Sequence, residues 1–404
     1  MENKILITVT GKDREGIVAA VTGVIAEAEL PIYDIAQRVH YGIIVLTLLI
    51  DVSSCSEKEI DFQALPFVDR LMNLAGQLEI RIDCSPFPRS EAIKKKRQET
   101  FVITCLGRDI SGRFISELSA VLAANHLNIE RIKPLTEGGL HCLEMAAATQ
   151  TKLDLVNLNK QLMSMGKPHE IDIAVQHDNI YRKSKRLIVF DMDSTLIQGE
   201  MIDELAKLAG VEREVKEITR AAMTGSVDFQ ESLRKRVRLL KGLEQENLER
   251  AYRAIPLMPG LDKLFIILKK LGYKTAVISG GFKFFVEHFQ REYQVDYSFA
   301  NGLEINNGVV TGNLTGEIID ATAKADKMEI VAAQENISLY QVIAVGDGAN
   351  DIEMLSRAGL GIAFNAKPVV QKAAGYRISQ RRLDSILFLL GITEKDMQDI
   401  HTTV

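Results

Sequence analysis

The chain has 404 residues, more than a single hydrophobic core usually serves, so two or three domains are expected. Apolar residues make up 46% and charged residues 25%, a globular balance that excludes a disordered or fibrous chain. The net charge of −5 at pH 7 is mild and spread along the chain, so neither nucleic acid nor a membrane surface is an expected partner, and no apolar run approaches the roughly 20 residues needed to span a bilayer.

The chain opens directly on the strand-like Ile5-Leu6-Ile7-Thr8-Val9, and Cys55, Cys84, Cys105 and Cys142 show no CxxC or metal-ligand spacing. A cytoplasmic protein is expected. Next comes an internal repeat: Gly11-Lys12-Asp13-Arg14-Glu15-Gly16 returns as Gly107-Arg108-Asp109-Ile110-Ser111-Gly112, each after an apolar strand. Amphipathic helical patterns come after these turns, Ile17 to Ala28 and Phe114 to Ala124, then extended segments, Ile32 to Val39 and Ile129 to Leu135. Each copy continues through a second apolar strand (Ile43 to Val52; Leu140 to Ala147), a helix (Phe62 to Gln77; Leu153 to Met165) and a last strand (Leu78 to Asp83; Glu170 to Val175). The order βαββαβ predicts a ferredoxin-like unit, helices on one face of an antiparallel sheet.

Asp13 with Gly16, and Asp109 with Gly112, would set a carboxylate beside open amides at a helix start, a cradle for a zwitterion. Equally, the glycines would serve the turn and the acids cap the helix. The unit resembles the ACT domain, a family of small regulatory modules that bind amino acids, often across a dimer interface. The resemblance implies two regulatory domains, 1–85 and 100–178, with L-serine or another amino acid as effector and a homodimer as assembly. The basic run Lys94-Lys95-Lys96-Arg97 between them reads as a solvated linker, and the polar stretch Gln176 to Arg186 marks the boundary with the C-terminal half of the chain.

The strand Leu187-Ile188-Val189-Phe190 is continuously apolar, as in a parallel sheet covered on both faces, and ends in Asp191-Met192-Asp193-Ser194-Thr195. Ligands of open α/β sheets sit at such strand ends, and two close carboxylates there call for a cation. Two further apolar strands end alike, in Ser279-Gly280-Gly281 and in Gly346-Asp347-Gly348-Ala349-Asn350-Asp351, while Lys324 lies at a helix start after the hairpin region Asn301 to Gly316. This ordered set resembles the haloacid dehalogenase superfamily over about Arg186 to Leu390. The implied fold class is α/β, a Rossmann-like parallel sheet with a helical cap, here preceded by two ferredoxin-like domains; the phosphatase domain would span 186–395.

By that resemblance Asp191 is the nucleophile and forms an aspartyl-phosphate, and Asp193 is the general acid and base. Ser279, the amides at Gly280, Lys324, Asn350 and Thr195 would surround the phosphate. Mg²⁺ would be held by Asp191, Asp347 and the carbonyl of Asp193, with Asp351 orienting that shell. Between the first two motifs, Glu200 to Ala209, Arg213 to Thr224 and Phe229 to Leu240 have helical periodicity and predict a cap over about 200–255. The segment Ala222-Met223-Thr224-Gly225 and, beyond it, Phe229-Gln230-Glu231-Ser232-Leu233-Arg234-Lys235-Arg236-Val237 closely resemble the cap of the phosphoserine phosphatases. The resemblance implies O-phospho-L-serine as substrate, Arg236 on its carboxylate, Glu200 on its ammonium, and Met223 and Phe229 closing over it. Release of L-serine and phosphate would be the last step of serine biosynthesis.

Overall fold

The computed structural model describes residues 4–53, 65–87, 99–139, 141–223 and 228–402. The basic run from Lys94 to Arg97, Cys55, Leu140, Gly225 and the side chain of Met223 lie outside the described residues. Two compact units emerge, Met1–Arg97 and Gln98–Val404.

In the first unit β1 (Lys4–Lys12), β2 (Ile32–His40), β3 (Ile43–Asp51) and β4 (Ile80–Pro86) form an antiparallel sheet of order β2-β3-β1-β4. Strand periodicity turns Ile5, Ile7 and Val9, with Ile44, Leu46, Leu48 and Ile50, toward helices Ile17–Glu27 and Pro66–Gln77, which close the core. The opposite face leaves Ile43 and Val45 exposed. Gly16 starts the first helix in the left-handed region at φ 89°, and Ser111 caps the matching helix of the repeat through its hydroxyl. The helix caps are thus a glycine backbone and a serine; Asp13 and Asp109 are exposed and do not supply them.

The second unit begins with the repeat: β5 (Glu99–Leu106), β6 (Asn128–Pro134), β7 (Cys142–Thr149) and β8 (Asp172–His177), order β6-β7-β5-β8, under helices Gly112–Ala124 and Leu155–Gly166. It continues into a seven-stranded sheet of order β12-β11-β10-β9-β13-β14-β15. Its members are β9 (Leu187–Phe190), β10 (Lys274–Phe282), β11 (Tyr297–Asn306), β12 (Val309–Thr315), β13 (Val342–Gly346), β14 (Leu360–Phe364) and β15 (Tyr376–Ile378). All neighbouring pairs are parallel except the β11–β12 hairpin. β9, β13 and β14 are buried along their whole length, as strands covered on both faces require. Helices Met201–Ala209, Glu212–Met223, Phe229–Leu239 and Gln245–Ala254 form the predicted excursion after β9.

The stretch from Gln176 to Arg186 is mostly exposed but buries Gln176, Arg182 and Lys185. The second face of the repeat's sheet is buried there, and its Leu106, Cys142 and Ala174 share one core with the α/β part. Several polar side chains on this face are met by partners, while Thr104 Oγ1 and Arg182 Nε have none among the described residues. Arg182 Nη2 donates to Glu144 Oε2 at 2.5 Å, Gln176 Nε2 donates to the Leu389 carbonyl at 3.0 Å, and Asp172 accepts from Arg377 Nε, Ser379 N and Ser379 Oγ. No described helix is long and apolar enough to cross a membrane.

Arg182 and Glu144 are both buried, and the half-exposed Arg131 Nη2 also reaches Glu144 Oε1 at 3.3 Å, so removing Arg182 leaves the buried carboxylate with that longer contact alone. Arg182→Met is expected to lower the stability of the second unit by up to about 3 kcal/mol, Arg131 remaining on Glu144, and the double variant with Glu144→Leu to recover most of it. Chemical denaturation curves check this; equal midpoints for wild type and Arg182→Met would remove the pair's structural role.

Candidate active site

Three parallel strands deliver the site. β9 runs out at Phe190, and the Asp191 amide donates to the Val345 carbonyl at 2.9 Å, tying the loop to the neighbouring β13. The chain then turns tightly: the amides of Thr195, Leu196 and Ile197 all donate to the Met192 carbonyl, and Ser194 adopts a left-handed φ of 58°. This turn points Asp191 and Asp193 into one cavity of about 470 Å³, whose wall also includes Glu200, Phe229, Arg236, Gly280, Asp347 and Asn350.

Beneath that wall lies a buried ion cluster. Lys324, on the first turn of helix Ala321–Gln334, is wholly buried and donates to Asp191 Oδ1 at 2.6 Å and to Asp351 Oδ1 at 2.7 Å. The other oxygen of Asp351 accepts from the Gly348 amide at 2.9 Å, which closes the loop after β13. Gly346 has no alternative there, since a Cβ would stand 2.5 Å from Asp351 Cγ. Gly281 is equally constrained, because a Cβ would fall 2.6 Å from Asp193 Oδ2. Ser279, fully buried, accepts from the Gly281 amide at 2.9 Å.

Of the sequence-predicted residues, the cavity wall brings together eight; Ser279, Lys324 and Asp351 stand directly behind it. Thr195 does not reach the wall: it is completely buried, and its hydroxyl has no partner in the protein. Among the three consecutive basic residues of helix Phe229–Leu239, Arg234 and Lys235 are exposed, and Arg236 is the one that lines the cavity.

The electrostatics result from crowding. Asp191, Asp193, Glu200, Asp203 and Asp347 line the cavity with Asp351 behind them, six carboxylates against Arg236, Lys367 and Lys324. Burial, then the charge of Glu200, pushes the Asp193 carboxyl up to about 7, although the Met201 amide donates to its Oδ1 at 2.9 Å. Burial, then Asp351, likewise raises Asp347 to about 7. Burial and Asp351 raise Asp191 well above the usual carboxylate range. Burial opposes the charge on Lys324, but Asp191 and Asp351 outweigh it and hold the ammonium protonated. Carboxylate oxygens of Asp191, Asp347 and Asp351 lie within 4.8 Å of one another. Such a set of hard, anionic oxygens in mutual repulsion suits a divalent cation.

Sequence reasoning did not single out Lys367 or the pair Gln230–Asp320. Lys367 lines the cavity and its charge acts on Glu200 and Asp347. It lies just past β14, and the same strand-end rule that picked out Asp347 would have found it. Gln230 Nε2, from the cap, donates at 2.8 Å to Asp320, the residue whose other oxygen caps the helix carrying Lys324. A lone glutamine on a polar helix face carries no signal of this in the sequence.

Comparison with known proteins agrees with this geometry. Residues 185–359 match the haloacid dehalogenase-like hydrolase family, and residues 3–79 and 99–176 each match the ACT domain. The chain is 37% identical to phosphoserine phosphatase SerB2 of Mycobacterium tuberculosis over 98% of its own length and 94% of that protein. It is 36% identical to the phosphoserine phosphatase of Streptomyces coelicolor over the same shares. A solved haloacid dehalogenase family hydrolase from Salmonella enterica serovar Typhi superposes with a TM-score of 0.65 at 31% identity, covering 72% of this chain and 98% of that one. With near full-length relatives of this kind and a hydrolase domain preceded by two ACT domains, the chain is a phosphatase and belongs to the phosphoserine phosphatase family.

Proposed function

We propose that the protein hydrolyses O-phospho-L-serine to L-serine and phosphate through an aspartyl-phosphate on Asp191. The observation that carries this reading is that one small cavity is lined by Asp191, whose carboxylate is held from behind by the buried Lys324–Asp351 pair, together with Glu200 and Arg236. A phosphomonoester with an amino-acid moiety matches both sets of groups. The guanidinium of Arg236 offers a fork to the carboxylate, Glu200 takes the ammonium, and Phe229, with Met223 as its expected neighbour on the cap, covers the short side chain.

In the first half-reaction Asp191 Oδ2, the oxygen not held by Lys324, attacks phosphorus as the bond to the seryl oxygen breaks. Asp193 gives its proton to that oxygen. In the second, Asp193 takes a proton from water, the water oxygen attacks phosphorus, and the acyl phosphate opens to free Asp191. Lys324 offsets charge on the phosphoryl oxygens and fixes the rotamer of the nucleophile, while Ser279, the amide region at Gly280 and Asn350 donate to the phosphate. Asp191, Asp347 and the main-chain carbonyl of Asp193 would hold Mg²⁺, with Asp351 orienting them. When bound, that ion supplies charge that lets an anionic nucleophile meet an anionic ester. The ACT domains are read as a regulatory half that binds an amino acid such as L-serine and joins two copies of the chain, in keeping with an enzyme closing serine biosynthesis.

Phosphate release from L-phosphoserine, phosphothreonine and a sugar phosphate tests the reading. Wild type with Mg²⁺ is expected to prefer phosphoserine, and Asp191→Asn or added chelator to abolish release; indifference to the amino-acid moiety would remove the roles of Glu200 and Arg236. Arg236→Ala is expected to lower kcat/KM for phosphoserine by about 10²-fold, as loss of one partner of a desolvated charge pair does, with little change for a phosphate ester lacking a carboxylate.

Asp193 must carry a proton when the seryl oxygen leaves. Since burial and then Glu200 raise it to about 7, kcat/KM is expected to fall as pH rises above about 7. Glu200→Gln removes the second of those causes and should move the falling limb to lower pH. A pH profile of kcat/KM for both proteins checks the direction; a limb that stays in place would separate it from Asp193.

A further inference from the structure

The seam between the second ACT domain and the hydrolase domain opens at one edge into a cleft of about 760 Å³. One wall comes from the ACT domain, with Arg108 after β5 and Lys167 and Glu170 before β8; the other comes from the segment around β15, with Arg377, Arg381 and Arg382. Five cations face two carboxylates, Glu170 and Asp172, within a chain of net charge −5.

Part of that charge is structural. Asp172 is consumed by Arg377 and Ser379, and Arg382 donates through Nε and Nη2 to both oxygens of Asp384. Arg108, Lys167 and Arg381 remain, exposed and without an ion pair among the described residues. They line one space from two domains with Glu170 as the remaining carboxylate, a local excess of positive charge that an anion would offset. The volume is that of a small-molecule site, and domain junctions are where such sites commonly form.

We propose that this cleft binds a small polyanion carrying two phosphate groups, gripped by Arg108 and Lys167 on the ACT side and Arg381 on the hydrolase side. Guanidinium groups on opposite walls match a ligand with two separated oxyanion centres better than a single phosphate. Such a ligand bridges the domains and touches Gln371. Gln371 lies on the short helix Pro368–Ala373, whose preceding residue, Lys367, lines the catalytic cavity. One short helix therefore joins the two cavities, and occupancy of the cleft bears directly on the position of Lys367.

The test is calorimetric titration of inorganic pyrophosphate into the full-length protein in metal-free buffer, which reads binding independently of turnover and of the proposed substrate. Wild type is expected to bind at one site per chain. Arg108→Ala and Arg381→Ala are each expected to weaken it about tenfold, as loss of a charge-assisted contact does. Both side chains are exposed, so the fold is kept; Lys167→Gln provides a milder third variant with the same expected direction. No saturable binding, or binding of unchanged affinity in the Arg108→Ala/Arg381→Ala double variant, would overturn the proposal.

Discussion

A lysine ammonium wholly removed from water organises the hydrolase domain. Transfer of such a charge costs several kcal/mol per ion unless strong partners meet it, and Lys324 has two carboxylates at 2.6 and 2.7 Å. The dependence runs outward from there. Asp320 caps the helix that carries Lys324 and holds its first turn in place. Asp351 spends its second oxygen on the Gly348 amide, so the lysine also shapes the loop after β13 that presents Asp347 and Asn350. Asp191 is left with one oxygen held and the other facing the cavity. Nucleophile, ligand loop and phosphate end of the cavity are thus one electrostatic object.

The cap is attached to the same object. Gln230 reaches from helix Phe229–Leu239 to Asp320, so the helix bringing Phe229 and Arg236 over the cavity is hydrogen-bonded to the cap residue of the lysine's helix. The opposite side of the cap is tethered through Ser194 Oγ, which donates to Glu200 Oε1 at 3.3 Å. A cap held at both ends by residues adjoining the chemistry can report the presence of substrate to the groups that act on it. The Gly280 backbone shows how close this closure is, since a side chain there would lie 3.4 Å from Phe229 Cζ and 3.7 Å from Asn350 Nδ2.

Strand ends were the legible part of the site. Apolar runs terminating in Asp191, Ser279 and Asp347 announce their position because a parallel sheet buried on both faces has few polar residues to confuse with them. Periodicity placed the cap helices nearly to the residue, with Met201–Ala209 and Phe229–Leu239 close to the expected bounds. What could not be read were contacts made between elements distant in sequence. The Gln230–Asp320 bond spans 90 residues, and Arg182, inside a stretch that reads as a polar boundary, is buried because Glu144 waits 38 residues earlier. Thr195 shows the converse: a hydroxyl next to the motif suggests a phosphate contact, but the tight turn at Met192 rotates it into the interior. The turn acids Asp13 and Asp109 also mislead as caps, because a left-handed glycine and a serine satisfy those helix starts first.

The two ACT repeats show how one fold is put to different use by a few side chains on the sheet face away from its helices. In the first copy Leu6, Thr8 and Thr10 on that face are only half-buried. Their counterparts in the second, Val102, Thr104 and Leu106, are fully buried. Thr47 of the first copy, paired with Thr8, is replaced by Glu144, paired with Thr104. A glutamate at the centre of a buried sheet face is tolerable only where positive charge meets it; Arg182 arrives from the segment leading into β9, and Arg131 of β6 reaches the glutamate's other oxygen. The ion pair therefore ties the second ACT sheet to the segment that leads into β9, the strand that Asp191 follows. Asp172, at the edge of the same face, does the same for β15 through Arg377 and Ser379. Because both anchors are polar and directional, a shift of this sheet cannot slide freely as a greasy interface would: it must break specific hydrogen bonds or move β15 and the Gln176–Arg186 segment with it. That gives the second ACT domain a directional hold on the catalytic sheet beside the apolar core the two share.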